Sequence, residues 1–217
     1  MIIHNFEQPP SLLDQFISEI RDKTIQTDPM RFRKNIERIG EILSYEMSKT
    51  LDYKISSIET PFGIKEMPIL QDQLVLCSVL RAGLPLHQGI LNYFDRAENA
   101  FISAYRYHPE GGDDFEVIVR YFASPKLDNK VLVLTDPMLA TGKTLENVFK
   151  TLRSHGNPKK IHILSVIGSE EGVQYVSKVF PESTEFWTAA IDKTLTAEGY
   201  IIPGLGDAGD LAFGEKL

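Results

Sequence analysis

Apolar residues gather in short runs at 74–80, 131–135 and 161–167, broken only by Ser78, Thr135, His162 and Ser165. Runs of that length, rich in Val, Ile and Leu, predict strands covered on both faces, as in a parallel sheet. Two further strands are expected at 100–105 and 185–191. Between the runs the period changes. In 142–154, Leu145, Val148, Phe149 and Leu152 share one helical face, and Gly156 is placed to end the helix. Segments 84–93 and 169–179 read as helices too. Alternating strand and helix patterns predict an α/β fold, a mainly parallel twisted sheet with helices on both faces. Upstream, 11–25 and 29–50 predict N-terminal helices. The second has Asp28 as N-cap, Pro29 in its first turn, and Ile36, Ile39, Leu43 and Met47 at helical spacing. Residues 53–70 read as a hairpin around Pro61-Phe62-Gly63. Segment 106–128 breaks the alternation. Its turn-rich tip, His108 to Asp114, and the β-like run 115–122 predict a protruding arm, either an active-site cover or a subunit contact.

The 217 residues suffice for one sizeable core and are few for two, so 1–217 is expected to be a single domain. A formal net charge of −7 argues against broad binding to nucleic acid or membrane surfaces. It also means that a polyanionic substrate must be drawn in by local cations. The single cysteine, Cys77, lies inside an apolar run and reads as a buried, inert thiol. With no signal-peptide pattern and no long apolar span, a soluble cytoplasmic protein is expected.

Candidate chemistry begins where the run 131–135 ends. Asp136 follows it, then Pro137, Met138, Leu139, Ala140, Thr141, Gly142, Lys143 and Thr144, with a helix opening directly behind. Such a junction aims backbone N–H groups and the positive end of a helix dipole at one spot, which suits a phosphate. An acid beside an anion site needs a reason: it can hold a metal, or accept sugar hydroxyls and face a developing positive charge. Gly142-Lys143-Thr144 also matches the end of a Walker A loop. That loop needs a glycine five residues before its final glycine, where this chain has Pro137. A P-loop kinase is therefore excluded.

Ligands of open α/β sheets bind beyond the carboxyl ends of the strands. After 74–80 come Arg81, Ala82 and Gly83, a permanent planar cation beside small residues that allow close backbone approach. After 100–105 comes Arg106, a second candidate anion ligand. Near the C-terminus, Gly199, Gly204, Gly206 and Gly209 make a strand or helix interior unexpected, while Pro203 and its apolar neighbours argue for a fixed loop. Among the histidines, His108 alone is placed near a ligand, and His162 is expected to point outward from its strand. No His/Cys metal spacing occurs.

The segment 131–144 resembles the phosphoribosyl-diphosphate (PRPP) fingerprint of type I phosphoribosyltransferases. Asp136-Pro137-Met138-Leu139-Ala140-Thr141-Gly142 is similar to the uracil phosphoribosyltransferase form, in which proline replaces the second acid. Leu80-Arg81-Ala82-Gly83 and Tyr105-Arg106 resemble that family's PRPP arginine sites, and 199–210 its uracil loop. The resemblance implies transfer of phosphoribose from PRPP to uracil, giving UMP and pyrophosphate. It implies Arg81 at the pyrophosphate, Asp136 at the ribose, and residues 140–144 at the 5′-phosphate. Ile201, Gly206 and Ala208 are then expected to contact uracil through the backbone, and Asp207 to contact PRPP. Magnesium is implied as carried by PRPP, and a homodimer or homotetramer as the assembly. The GTP activation known in some members does not carry over. A non-catalytic PRPP or UMP sensor on the same fold is the alternative.

Overall fold

The computed structural model describes residues 1–107 and 116–215; His108 and the rest of the expected arm tip lie outside the described residues. The strands β1 (Ile2–Asn5), β4 (Leu74–Leu80), β5 (Glu98–Tyr107), β6 (Glu116–Ala123), β7 (Val131–Thr135), β9 (Lys160–Ser169) and β10 (Glu185–Asp192) form one sheet. Their order is β1-β10-β9-β7-β4-β5-β6, with the two-residue β8 (Met138–Leu139) also on β9. All neighbours run parallel except β6, which returns antiparallel to β5.

The interiors of β4, β7, β9 and β10 are buried on both faces, and alternate residues feed two separate cores. Leu74, Leu76, Val131 and Val133 pack with α1 (Leu12–Arg21), α2 (Pro29–Ser48) and α3 (Leu84–Leu91). Val75, Cys77, Leu132 and Leu134 pack with α4 (Lys143–Leu152) and α5 (Glu170–Val179) on the other face. The helices form where the periodicity places them. Leu145, Val148, Phe149 and Leu152 are the buried stripe of α4, and Asp28 caps α2 by accepting from Met30 and Arg31 N–H. Cys77 is buried and its thiol is pushed up to about 12, which leaves it inert. No described helix is long and apolar enough to cross a membrane.

Several expectations change. The strand β6 lengthens the main sheet instead of standing off it. The pair that stands apart is β2 (Tyr53–Thr60) with β3 (Gly63–Leu70), joined by Pro61-Phe62 and exposed along almost its whole length. Strand β1, too short for its pattern to be read, adds to the far edge beside β10. His162, expected to point outward, is fully buried. Period-two alternation implies exposure only for a sheet with one wet face, and β9 sits between β7 and β10 with helices on both sides.

Burial holds the His162 imidazole down at about 4. Trp187 Nε1–H donates to its Nδ1 at 3.1 Å, so the ring proton sits on Nε2. The unfolded chain then binds more protons than the folded one between about pH 6.5 and 4, and stability drains as pH falls through that window. The loss attributable to this group reaches about 3 kcal/mol. His162→Gln keeps an acceptor for Trp187 without titrating. Melting temperatures at pH 7 and pH 5 should show a smaller acid loss in His162→Gln than in the wild type.

Candidate active site

The crossover after β4 runs through α3 on one face, and the crossover after β7 runs through α4 on the other. Because β4 and β7 are neighbours, the chain parts between them and leaves a crevice at their carboxyl ends. Its first wall is the turn Arg81-Ala82-Gly83. Gly83 N–H donates to Val79 O at 2.9 Å and His87 N–H to Gly83 O at 2.9 Å, so α3 begins at once. A Cβ on Gly83 would stand 2.6 Å from Val79 O, which explains the glycine. The Arg81 guanidinium reaches across the crevice to Asp210 Oδ1 at 3.1 Å and Gly214 O at 3.2 Å.

The opposite wall is the loop from Asp136 to Gly142. Asp136 Oδ1 accepts from Met138 N–H at 3.2 Å, which folds the loop back on itself. Pro137 has no N–H to offer, but its carbonyl accepts from both Val166 and Ile167 N–H, at 3.0 and 3.1 Å. Ser169 Oγ donates to Ala140 O at 2.6 Å while accepting from Gly172 N–H, so the start of α5 turns the Ala140 carbonyl toward itself. Gly142, with φ of 78°, enters α4 in the left-handed region that disfavours side chains, and it caps the helix without a side-chain bond. The amide-rich start of α4 thereby faces the hollow lined by Asp136, Ala140, Thr141, Gly142 and Thr144.

The third wall comes from the C-terminal segment. Strands β11 (Thr194–Leu195) and β12 (Ile201–Ile202) pair antiparallel, and α6 (Ala208–Phe213) follows. Gly209 thus lies inside a helix, contrary to the loop expected there. Asp207 makes that possible: its Oδ1 accepts from Gly209 and Asp210 N–H at 2.8 and 3.0 Å, an N-cap that offsets the poor helix propensity of glycine. The turn before it is pinned from the N-terminal helices. Arg21 makes a forked pair with Asp192 at 2.7 and 2.9 Å and donates to Gly204 O at 3.0 Å. Gln26 Nε2 donates to Leu205 O at 3.1 Å.

These walls enclose a cleft of about 520 Å³. Arg81, Asp136, Pro137, Met138, Ala140, Thr144, Gly206, Asp207 and Ala208 line it, as does much of the chain around them. Leu139, Thr141 and Gly142 line the adjoining hollow. Two of the expected ligands line neither space. Lys143 opens α4 without lining either space, and Ile201 is buried in the main core. Arg106 is the penultimate residue of β5, which continues to Tyr107, and its side chain lies outside the described residues. Tyr200 and Ser103, which no sequence expectation includes as ligands, also line the cleft. An aromatic next to glycine in a turn-rich segment was a signal for Tyr200; nothing in the sequence marks Ser103.

The family model described as uracil phosphoribosyltransferase matches residues 8–215. The chain belongs to the uracil phosphoribosyltransferase family. A relative of that name from Porphyromonas gingivalis is 52% identical over 207 residues, covering 95% of each chain. Another, from Pyrococcus furiosus, is 37% identical over 218 residues, covering 99% of this chain and 91% of the relative. Among solved structures, the AQ2163 protein from Aquifex aeolicus superposes with a TM-score of 0.87 at 30% identity and covers 98% of both chains.

The support of the anion loop by α5 yields a test. A Cβ at Gly172 would fall 2.1 Å from Ala140 O, against backbone that cannot yield without moving the loop. Gly172→Ala should cost about 1–3 kcal/mol in stability and weaken PRPP binding about tenfold or more. Gly168→Ala, whose Cβ would meet side chains at 3.4 Å, is the tolerated comparison. Calorimetric titration with PRPP and thermal melts read both effects.

Proposed function

We propose that the cleft transfers the 5-phosphoribosyl group of PRPP to N1 of uracil, releasing pyrophosphate and forming UMP in pyrimidine salvage, with the following division of labour. The observation that carries this reading is the convergence of the Arg81 turn, the Asp136–Thr144 loop and the Gly206–Gly209 turn on one crevice between β4 and β7. Residues 140–144 hold the 5′-phosphate with backbone amides, and Thr144 adds a hydroxyl. Arg81 exchanges its Asp210 contact for the pyrophosphate and takes up charge as the bond from C1′ to oxygen lengthens. Asp136 accepts the ribose hydroxyls and faces the cationic centre that forms when cleavage runs ahead of attack. The Gly206–Ala208 backbone presents donor, acceptor, donor to uracil O2, N3–H and O4, which aligns N1 opposite the leaving group. Asp207 holds this turn through its cap on α6 and completes the PRPP contacts.

Magnesium fits this donor set as a companion of the substrate. Among the described residues no three His, Cys, Asp or Glu side chains gather to hold a metal, while single carboxylates, Asp136 and Asp207, line the cleft. Such an ion keeps its waters and phosphate oxygens and needs at most one or two carboxylates from the protein. When bound it supplies charge neutralisation to the pyrophosphate. The reading extends to a cytoplasmic homodimer or homotetramer. The exposed apolar residues of the β2–β3 hairpin, Ile55, Ile64 and Met67 among them, support the assembly, because an isolated hairpin is marginal in water.

Protein, magnesium, PRPP and labelled uracil should give UMP. Arg81→Ala should fold normally and lose about 10²-fold or more in kcat/KM for PRPP. Cytosine would set its amino group against a backbone donor and should be discriminated against by roughly 10⁴. PRPP binding without UMP formation would instead support a sensor, and equal use of cytosine would remove the backbone-readout argument.

A further inference from the structure

Beneath the cleft lies a run of polar side chains that the transfer reaction does not use. Ser78 and Thr135 are register partners on β4 and β7, both fully buried, and their hydroxyl oxygens are 2.6 Å apart. Ser78 Oγ is also 2.6 Å from Nδ1 of His87, a buried residue on α3. His87 Nε2 lies 2.7 Å from Asn99 Oδ1 on β5. The direction of the chain follows from its outer end. Asn99 Nδ2–H donates to Ala97 O at 3.2 Å, which turns the amide oxygen toward His87. The ring proton is therefore on Nε2, Nδ1 accepts from Ser78 O–H, and Ser78 oxygen accepts from Thr135 O–H. Burial lowers the His87 pKa, which favours this neutral ring.

The positions of these residues matter more than their burial. Ser78 and His87 flank the Arg81 turn on either side, so their bond closes that turn like a clasp. Thr135 immediately precedes Asp136, and its carbonyl lies 3.3 Å from where a Gly83 Cβ would be. We propose that Thr135, Ser78 and His87 are positioning residues that lock the Arg81 turn to the Asp136 loop, so that the pyrophosphate and ribose contacts are presented together. The inference rests on the reading of the cleft given above. A buried hydroxyl pair between Thr135, the last residue of β7, and Ser78, two residues before the end of β4, is a costly way to add stability alone, since an apolar pair of similar shape would satisfy the core.

The test uses Thr135→Val, which removes the hydroxyl and keeps the shape, against Thr135→Ser, which keeps the hydroxyl. Thr135→Val should weaken PRPP binding in calorimetry, and lower kcat/KM for PRPP, about tenfold or more, with KM for uracil within about twofold. Thr135→Ser should restore most of both. Ser78→Ala combined with Thr135→Val should be no worse than the worse single variant, because both cut one chain. Nitrogen-15 NMR should show the Nε2–H tautomer of His87. A Thr135→Val enzyme that melts lower yet binds PRPP and turns over normally overturns the proposal. So do additive losses in the double variant or an Nδ1–H tautomer. If Ser78→Ala does not fold, the Thr135 pair decides alone. A wild type that binds PRPP without making UMP defeats the assigned activity, while the affinity comparison still tests the lock.

Discussion

The parallel pairing of β4 with β7 is the constraint on which the rest of the molecule depends. Both strands are buried on both faces, so their order and register are held by two cores at once. Their crossovers leave to opposite faces, and no helix can then cover the gap between their carboxyl ends. The cleft is what remains. Arg81, Asp136 and residues 140–144 stand on turns that begin within a few residues of this pair, and Asp207 is brought to them by the C-terminal segment.

Elements far away in sequence make those turns rigid. The start of α5 orients the Ala140 carbonyl through Ser169 and leaves no room for a side chain at Gly172. The amides of Val166 and Ile167 hold the Pro137 carbonyl. On the other side, Arg21 and Gln26 reach from the N-terminal helical region to the Gly204–Leu205 turn. The N-terminal helices thus have a definite part in the site: they hold the turn that leads to Gly206 and Asp207. Function here is spread over supporting contacts that no local motif contains.

Much of this was legible in the residues. The buried runs, the amphipathic stripe of α4, the Asp28 cap and the hairpin at 53–70 all appear where the pattern places them, because each is decided by neighbours close in sequence. The anion loop and the Arg81 turn were legible for the same reason, since glycine, small residues and a charged side chain at a strand end have few other uses. The misreadings share one cause. His162 was given an outward direction by alternation, yet β9 is covered on both faces. Gly209 was read as loop from composition, yet the Asp207 cap begins a helix there. Within segment 106–128, Glu116–Ala123 pairs antiparallel along the open edge of β5, a long-range contact that no local pattern announces.

The sequence alone therefore determined the class of fold, most of its elements, and the small and charged residues of the turns that follow β4 and β7. These follow from hydrophobic period, backbone freedom and side-chain charge, which act over a few residues. Only the tertiary structure decided which strand ends are neighbours, which carbonyls are turned away from the cleft, and that Ser78, His87 and Thr135 form one chain across three elements. Such contacts join residues up to 57 positions apart. Their energy comes from burial and hydrogen bonding in a packed interior, and that exists only once the sheet has assembled.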